Sequence, residues 1–429
     1  MKEKKKILIL GSDFGTYDIA CEAKKMGLYV ITADLMETSP TKQVSDEAWL
    51  VSTTDYDTLE RKCAENHIGG ILFGASDFNI SNARILCKRL NLPTFCPDDK
   101  AWNISKDKYE FKKACEEAGA PIATNYRISD ELKREDLEKI KYPVVIKPVD
   151  MSGNRGMSYC DNEDELIEAY KFARSISQNP NIICERRLFG KEWDPNYLIL
   201  NGNPVLLGFM QEFHQPGEAA NLYSMIVTTS YGLKTWLEET NDKVKTLFNH
   251  IGFVNGVAWV ETILDKDGHF YLLEPGHRFD SMTNYKLYEK MCGFNIIQWY
   301  INLALGIQIS QEKFPRDLTG GRRDCIGSYH LFANKDGIID SIEGLDKLLE
   351  MNDVDIDLPK RKGGAVKYHS NIGLIRVYGK SVEEMVNKFE YINSVFSIRD
   401  NTGENLFIRF TDFDSVIRDF HEGLAEFNV

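Results

Sequence analysis

Lys147 closes the apolar run Val144-Val145-Ile146, and a loop with two glycines and a serine, Ser152-Gly153-Asn154-Arg155-Gly156, follows almost at once. Such a run reads as a buried strand. An ammonium at the rim of a core is costly unless it reaches water or meets an anion. Gly153 and Gly156 allow positive φ and close backbone approach, so the amides from Ser152 to Met157 can close on phosphate oxygens. Lysine and loop together predict a held anion, whereas Lys147 alone reads rather as a strand-end lysine with its head in water. The chain contains no G-x-x-x-x-G-K-[ST], so this is not a Walker-type loop.

Two further sets of residues add chemistry. In ICERRLFGKEW, Glu185 and Glu192 are separated by a turn at Gly190. In an extended segment, Glu185 can accept from a nucleobase amino group and the Arg186–Leu188 backbone can act as a base-pairing edge. Glu192 can accept from ribose hydroxyls. The alternative is a pair of solvated carboxylates. Glu261 and Glu274 end two apolar runs, GVAWVE and FYLLE, on either side of Lys266-Asp267-Gly268, which reads as a hairpin turn. Carboxylates facing each other there repel unless a cation lies between them, and oxygen ligands of this kind suit Mg²⁺. Arg278, four residues beyond Glu274, can meet charge on a transferring phosphoryl group or an acyl oxyanion. Lys108, at the head of a polar helix, is a further candidate phosphate contact, or else an ordinary solvated lysine.

The elements that must position these groups alternate at the start of the chain. KKILILG, YVITAD, AWLVS and GGILFG read as strands, and Thr16–Met26, Tyr56–Asn66 and Phe78–Leu90 read as helices. That is a small doubly wound α/β unit. GSDFG at 11–15 lacks the G-x-G-x-x-G spacing and reads as a tight strand-to-helix turn. A helix in KDKYEFKKACEEAG leads into the Lys147 strand, and another follows in DNEDELIEAYKFARSI. Residues 211–231, polar and containing His214, read either as a loop near an acceptor site or as a variable surface loop. Beyond about 311 the pattern is mixed α+β, with a hairpin signal at Asp336-Gly337 and a helix-capping signal at Ser381-Val382-Glu383-Glu384.

The balance of 52 Lys+Arg against 65 Asp+Glu, a net charge of −13, argues against general nucleic-acid or anionic-membrane binding. No apolar run approaches the length of a membrane span, and the first residues do not read as a signal peptide. Nine scattered cysteines without a C-x-x-C pair favour reduced thiols and a cytoplasmic setting.

In order and spacing, DKYEF (107–111), VVIKPVDMSGNRGM (144–157), ERRLFGKE (185–192) and AWVETILDKDGHFYLLEPGHR (258–278) resemble the ATP-grasp superfamily. The likeness is to L-amino acid ligases and to the ATP-grasp domains of biotin carboxylase and carbamoyl-phosphate synthase. It implies an α/β domain over 1–104, an ATP-grasp domain of two α+β subdomains over 105–310, and a C-terminal α+β domain over 311–429. It also implies ATP and two Mg²⁺ ions as cofactors, with Mn²⁺ as a substitute. Lys108, Lys147 and the loop with Ser152, Gly153, Gly156 and Met157 would contact phosphates. Glu185, Arg186, Leu188 and Glu192 would hold adenine and ribose, and Glu261 and Glu274 the metals. Lys147 and Arg278 would be catalytic, Arg278 stabilising an acyl phosphate. His277, Asp280 and Ser281 would lie beside the acceptor substrate. One departure is Gly276, which stands where the family usually carries a metal-ligating asparagine.

The implied activity is a carboxylate–amine ligase acting on small-molecule acids and amines, with a homodimer left open as its assembly. A carboxylase or carbamoyl-phosphate-forming activity and a non-catalytic ATP-binding regulator are the alternatives inside the superfamily. A dinucleotide-dependent oxidoreductase is the alternative outside it, and that reading leaves the paired carboxylates without a role.

Overall fold

Four apolar runs near the start pair in parallel, in the order Glu47–Leu50, Tyr29–Asp34, Lys6–Leu10, Ile68–Phe73. Helices Thr16–Lys25, Tyr56–Glu65 and Asp77–Leu90 follow their strands, as an alternating α/β pattern requires. Ile7, Leu8, Ile9 and Leu10 are all fully buried, which is why this strand reads as an unbroken apolar run rather than an alternation. The computed structural model describes residues 4–13, 15–129, 132–150, 156–217, 222–280, 283–323 and 325–427. Ser152, Gly153 and Ser281 lie outside the described residues.

Two antiparallel sheets follow. The smaller has the order Asn125–Tyr126, Ile182–Arg186, Val144–Pro148, Ser158–Cys160. Helix Glu163–Ile176 covers one face of it, burying Leu166, Ala169 and Ala173 against Val144, Ile146 and Cys184. The larger sheet has eight strands: Phe270–Gly276, Gly256–Asp265, Gly190–Leu200, Asn203–His214, Tyr223–Thr228, Cys325–Phe332, Asn371–Gly379 and Val354–Asp357. It therefore runs without a break from the carboxylate hairpin into the C-terminal part of the chain. Helices Val382–Val395 and Phe413–Glu426 close that end, with Met385, Phe389, Val416 and Phe420 in one core with Tyr329 and Ile375.

Two expectations are corrected. Residues 211–231 are not a loop throughout: Gln211–His214 end one strand and Tyr223–Thr228 form the next, paired from Met210↔Thr228 to His214↔Tyr223. The apolar residues Phe213, Met225, Ile226 and Val227 are buried there and outweigh the polar composition. Asp336-Gly337 does not close a hairpin either. Gly337–Ile338 pairs with Ala365–Val366, because the neighbouring position beside Cys325–Phe332 is taken by Asn371–Gly379. At Ser381, by contrast, the hydroxyl accepts from Glu384 N–H and Glu384 accepts in turn from Lys380 N–H, starting the helix where the sequence places it.

Candidate functional site

The two antiparallel sheets face each other across a cleft of about 280 Å³. Lys147, Glu185, Arg186 and the neighbouring Leu188 line it from the smaller sheet's side. Glu192, Asp194, Glu212, Glu261 and Glu274 line it from the larger, and Lys108 and Met157 complete the set of candidate residues around it. Most of the predicted residues are thus brought together across segments far apart in sequence.

The hairpin forms as its turn demands, with Gly268 at φ +84° between Gly256–Asp265 and Phe270–Gly276. Glu261 and Glu274 are direct cross-strand partners. Burial, then Glu274, Asp194 and Glu192, push the Glu261 carboxyl well above the ordinary range. Burial, with Asp194, Glu192 and Glu261, does the same to Glu212. Asp194 is raised to about 7 by burial, Asp280 and Glu192. Glu192 moves the other way: burial raises it, but His214, whose Nε2 lies 3.5 Å from Glu192 Oε2, pulls it below. These carboxylates crowd one wall, with a ring nitrogen of His214 within 4.8 Å of Glu192 and Glu212 and with Lys108 Nζ 2.8 Å from Glu274 Oε2 as a lysine counterion. Such a set fits a hard divalent cation, which would relieve the mutual repulsion.

Packed on the larger sheet, helix Lys108–Ala118 is capped by Asp107, which accepts from Tyr109 N–H at 2.8 Å and Glu110 N–H at 3.1 Å. Lys147 pairs with Glu185, whose other oxygen lies 3.0 Å from Lys112 Nζ. Burial opposes the Glu185 charge, but the two lysines outweigh it and hold the carboxyl down at about 2. Gly156 has φ +77°, and a Cβ there would come within 2.5 Å of Ile176 and 2.9 Å of Pro148, so only glycine fits at this position.

Several assignments change. Glu185 does not present a carboxylate to a nucleobase: both oxygens are taken by lysines, because a buried anion needs close cations. His277 does not face a substrate. Counting by twos from Glu274 places it on the opposite face, where it is buried, stacks on Phe253 at 4.2 Å and contacts Asn255 O through Nε2 at 3.0 Å. Burial drives its pKa down to about 4. Arg278 is not among the residues lining the cleft. Its Nε donates to Asp77 Oδ1 at 2.7 Å and its guanidinium lies over Trp259, tying the hairpin to the N-terminal unit. Arg186 lines the cleft with Leu188 and Glu192, while its side chain pairs with Asp265 at 2.7 Å and its N–H donates to Thr124 O. Asp280 sits near enough to raise Asp194, and accepts from Asn284 N–H at 3.2 Å. Gly276 opposes Trp259, and a Cβ on it would lie 2.1 Å from the indole, so the asparagine the family usually carries cannot fit.

Asp194, Glu212 and Lys112 were not anticipated. The signal for Glu212 was an acid inside the apolar run VLLGFMQEF. For Asp194 it was its position two residues after Glu192, on the same strand face. For Lys112 it was its position four residues after Lys108 on the same helix face.

Residues 107–312 match the family model described as carbamoyl-phosphate synthase L chain, ATP binding domain. The chain carries an ATP-grasp domain. The chain is similar to the curated formate-dependent phosphoribosylglycinamide formyltransferase of Methanocaldococcus jannaschii, 27% identical over 177 residues, 41% of this chain and 45% of that protein. The chain spans about half or less of the first curated relatives it matches. Among solved structures, the biotin carboxylase domain of Hydrogenobacter thermophilus 2-oxoglutarate carboxylase, in complex with MgADP and bicarbonate, superposes with TM-score 0.78 at 19% identity, covering 99% of this chain and 96% of that one. L-amino acid ligase from Bacillus licheniformis superposes with TM-score 0.73 at 20% identity, covering 94% of this chain and all of that one. At these identities the likeness concerns the ATP-grasp fold. Among the described residues no helix is long and apolar enough to cross a membrane.

Proposed function

We propose that this chain is an ATP-dependent carboxylate–amine ligase. The observation that carries the reading is the facing of Glu261 and Glu274, in direct register, against Lys147 across one cleft. Glu261 and Glu274 would hold Mg²⁺, which supplies charge neutralisation at the phosphates. Lys147 and Lys108 lie where the triphosphate would run between the two walls. Leu188 and Glu192 border the part of the cleft assigned to base and ribose.

In the reaction, an acid's carboxylate oxygen attacks the γ-phosphorus, and the bond from that phosphorus to the β–γ bridging oxygen breaks, releasing ADP. An amine nitrogen then attacks the acyl carbon. The carbon–oxygen bond to phosphate breaks, phosphate leaves, and the amine proton goes to water or to the departing phosphate. The chain's contribution is positioning and fixed charge rather than a covalent side-chain intermediate. Arg278, held by Asp77 between the N-terminal unit and the hairpin, is assigned to the acid substrate as it becomes an acyl phosphate.

The test is ADP release with pooled small carboxylates in the presence of hydroxylamine and Mg²⁺. An acid-dependent hydroxamate is the expected result. ATP binding without acid-dependent ADP release across the pool would instead favour a non-catalytic nucleotide-binding role.

A further inference from the structure

Lys112 is the fifth residue of helix Lys108–Ala118, and its side chain is 1% exposed. A lysine that deep is held by its partners: Nζ donates to Leu272 O at 3.0 Å and lies 3.0 Å from Glu185 Oε2. Burial and the nearby Lys147 both lower its pKa, and Glu185 works against them. Glu185 opposes Val145 in the ladder, so Lys147, two residues along the same face, is its diagonal neighbour and takes the other oxygen. Two ammonium groups thus share one carboxylate. Of the two, only Lys147 borders the cleft.

We propose that Lys112 is a positioning residue that balances the charge of Glu185, so that the Lys147 ammonium stays both oriented and electrostatically available to a nucleotide phosphate. The inference rests on the reading of the cleft as the nucleotide site. With Glu185 alone beside it, Lys147 would be oriented but neutralised, and an incoming phosphate would meet no net charge on that wall. With neither partner, Lys147 would keep its charge and lose its fixed place. The triad of two lysines and one glutamate keeps one net positive charge, and burial of the inner two members directs it toward the cleft. The same helix also spaces the two walls. Lys108, one turn before Lys112, pairs with Glu274, and Lys112 binds the carbonyl of Leu272, two residues before Glu274 on the same strand.

Binding of Mg²⁺ with a non-hydrolysable ATP analogue is measured by calorimetry on the full chain for wild type, Lys112→Met, Lys112→Arg, Glu185→Gln and the Lys112→Met/Glu185→Gln pair. Lys112→Met is expected to weaken binding about tenfold or more, and the pair to recover to within about threefold of Glu185→Gln alone. A purely structural lysine would not be rescued by removing its partner's charge. Lys112→Arg, which keeps the cation, is expected to bind better than Lys112→Met. If Lys112→Met binds as wild type does, or the pair stays as weak as the single variant, the proposal is overturned. Should Lys112→Met fail to fold, the same comparison is read between Lys112→Arg and the pair: a pair that binds no better than a tenth as well as Glu185→Gln refutes it. Wild-type protein that bound no analogue would overturn the nucleotide reading itself, and this inference with it.

Discussion

At the residue scale, the larger-sheet wall of the cleft trades stability for chemistry. Glu261, Asp194 and Glu212 are each pushed upward by burial and by one another, so the metal-free protein carries repulsion in its own site. Glu261→Gln replaces this carboxyl with a neutral group of the same shape. It is expected to raise the melting temperature of EDTA-treated protein while lowering ATP turnover by about 100-fold. Paired thermal melts and coupled ADP assays check both halves, and a variant with unchanged turnover would remove Glu261 from the metal set. Arg278 makes a different prediction, because Asp77 and Trp259 fix it outside the cleft lining. Arg278→Ala is expected to lower turnover by about 100-fold and leave nucleotide affinity within about twofold, as suits a group meeting the acid substrate rather than ATP.

At the scale of elements, the hairpin strand Phe270–Gly276 and its continuation carry opposite demands on their two faces. Gly276 is pressed against Trp259, so Gly276→Asn is expected to cost about 1 to 3 kcal/mol by overpacking and to leave Mg²⁺ affinity no higher. Urea denaturation and a metal titration check this. On the other face, His277 is buried and neutral, and on the strand Cys325–Phe332 so is His330, held at about 3 by burial and by Arg376. Both folded pKa values lie below the ordinary 6.5. Unfolded chains take up these protons first, so the stability these two groups contribute is complete above pH 6.5 and is lost as pH falls toward 4 and then 3. The slope is about 1.4 kcal/mol per histidine per pH unit. Denaturation of wild type and His277→Phe at pH 7.5 and 5.0 measures it, and the variant is expected to lose less stability than wild type on going to pH 5.0.

At the scale of the whole molecule, the C-terminal part braces the strands that carry the site. Asp419, on helix Phe413–Glu426, is 1% exposed and accepts from Lys191 Nζ at 2.6 Å and Gln211 Nε2 at 2.7 Å. Those partners flank Glu192 and Glu212 on the two central strands. Asp419→Ala is expected to cost about 2 to 3 kcal/mol, reduced by the partial exposure of Lys191, and to raise the KM for ATP. Chemical denaturation and ATP titration of initial rates check it. An unchanged KM would show that the helix supports the sheet without reaching the cleft.

The local pieces were legible because they rest on neighbours in the chain. Alternating apolar runs, the Lys266-Asp267-Gly268 turn and the Asp107 and Ser381 caps each act within a few residues, so residue type and spacing determined the parallel unit, the hairpin and the Glu261–Glu274 register. What the sequence could not carry was which distant charges meet. Lys112, Lys147 and Glu185 come from one helix and two strands. Asp194 and Glu212 face Glu261 only after sheet pairing. Whether Gly276 could be anything larger depended on an indole 17 positions away in the chain and directly opposite in the ladder. Such contacts are decided by packing of segments with no sequence proximity, where burial sets both the cost of each charge and the partner it must find.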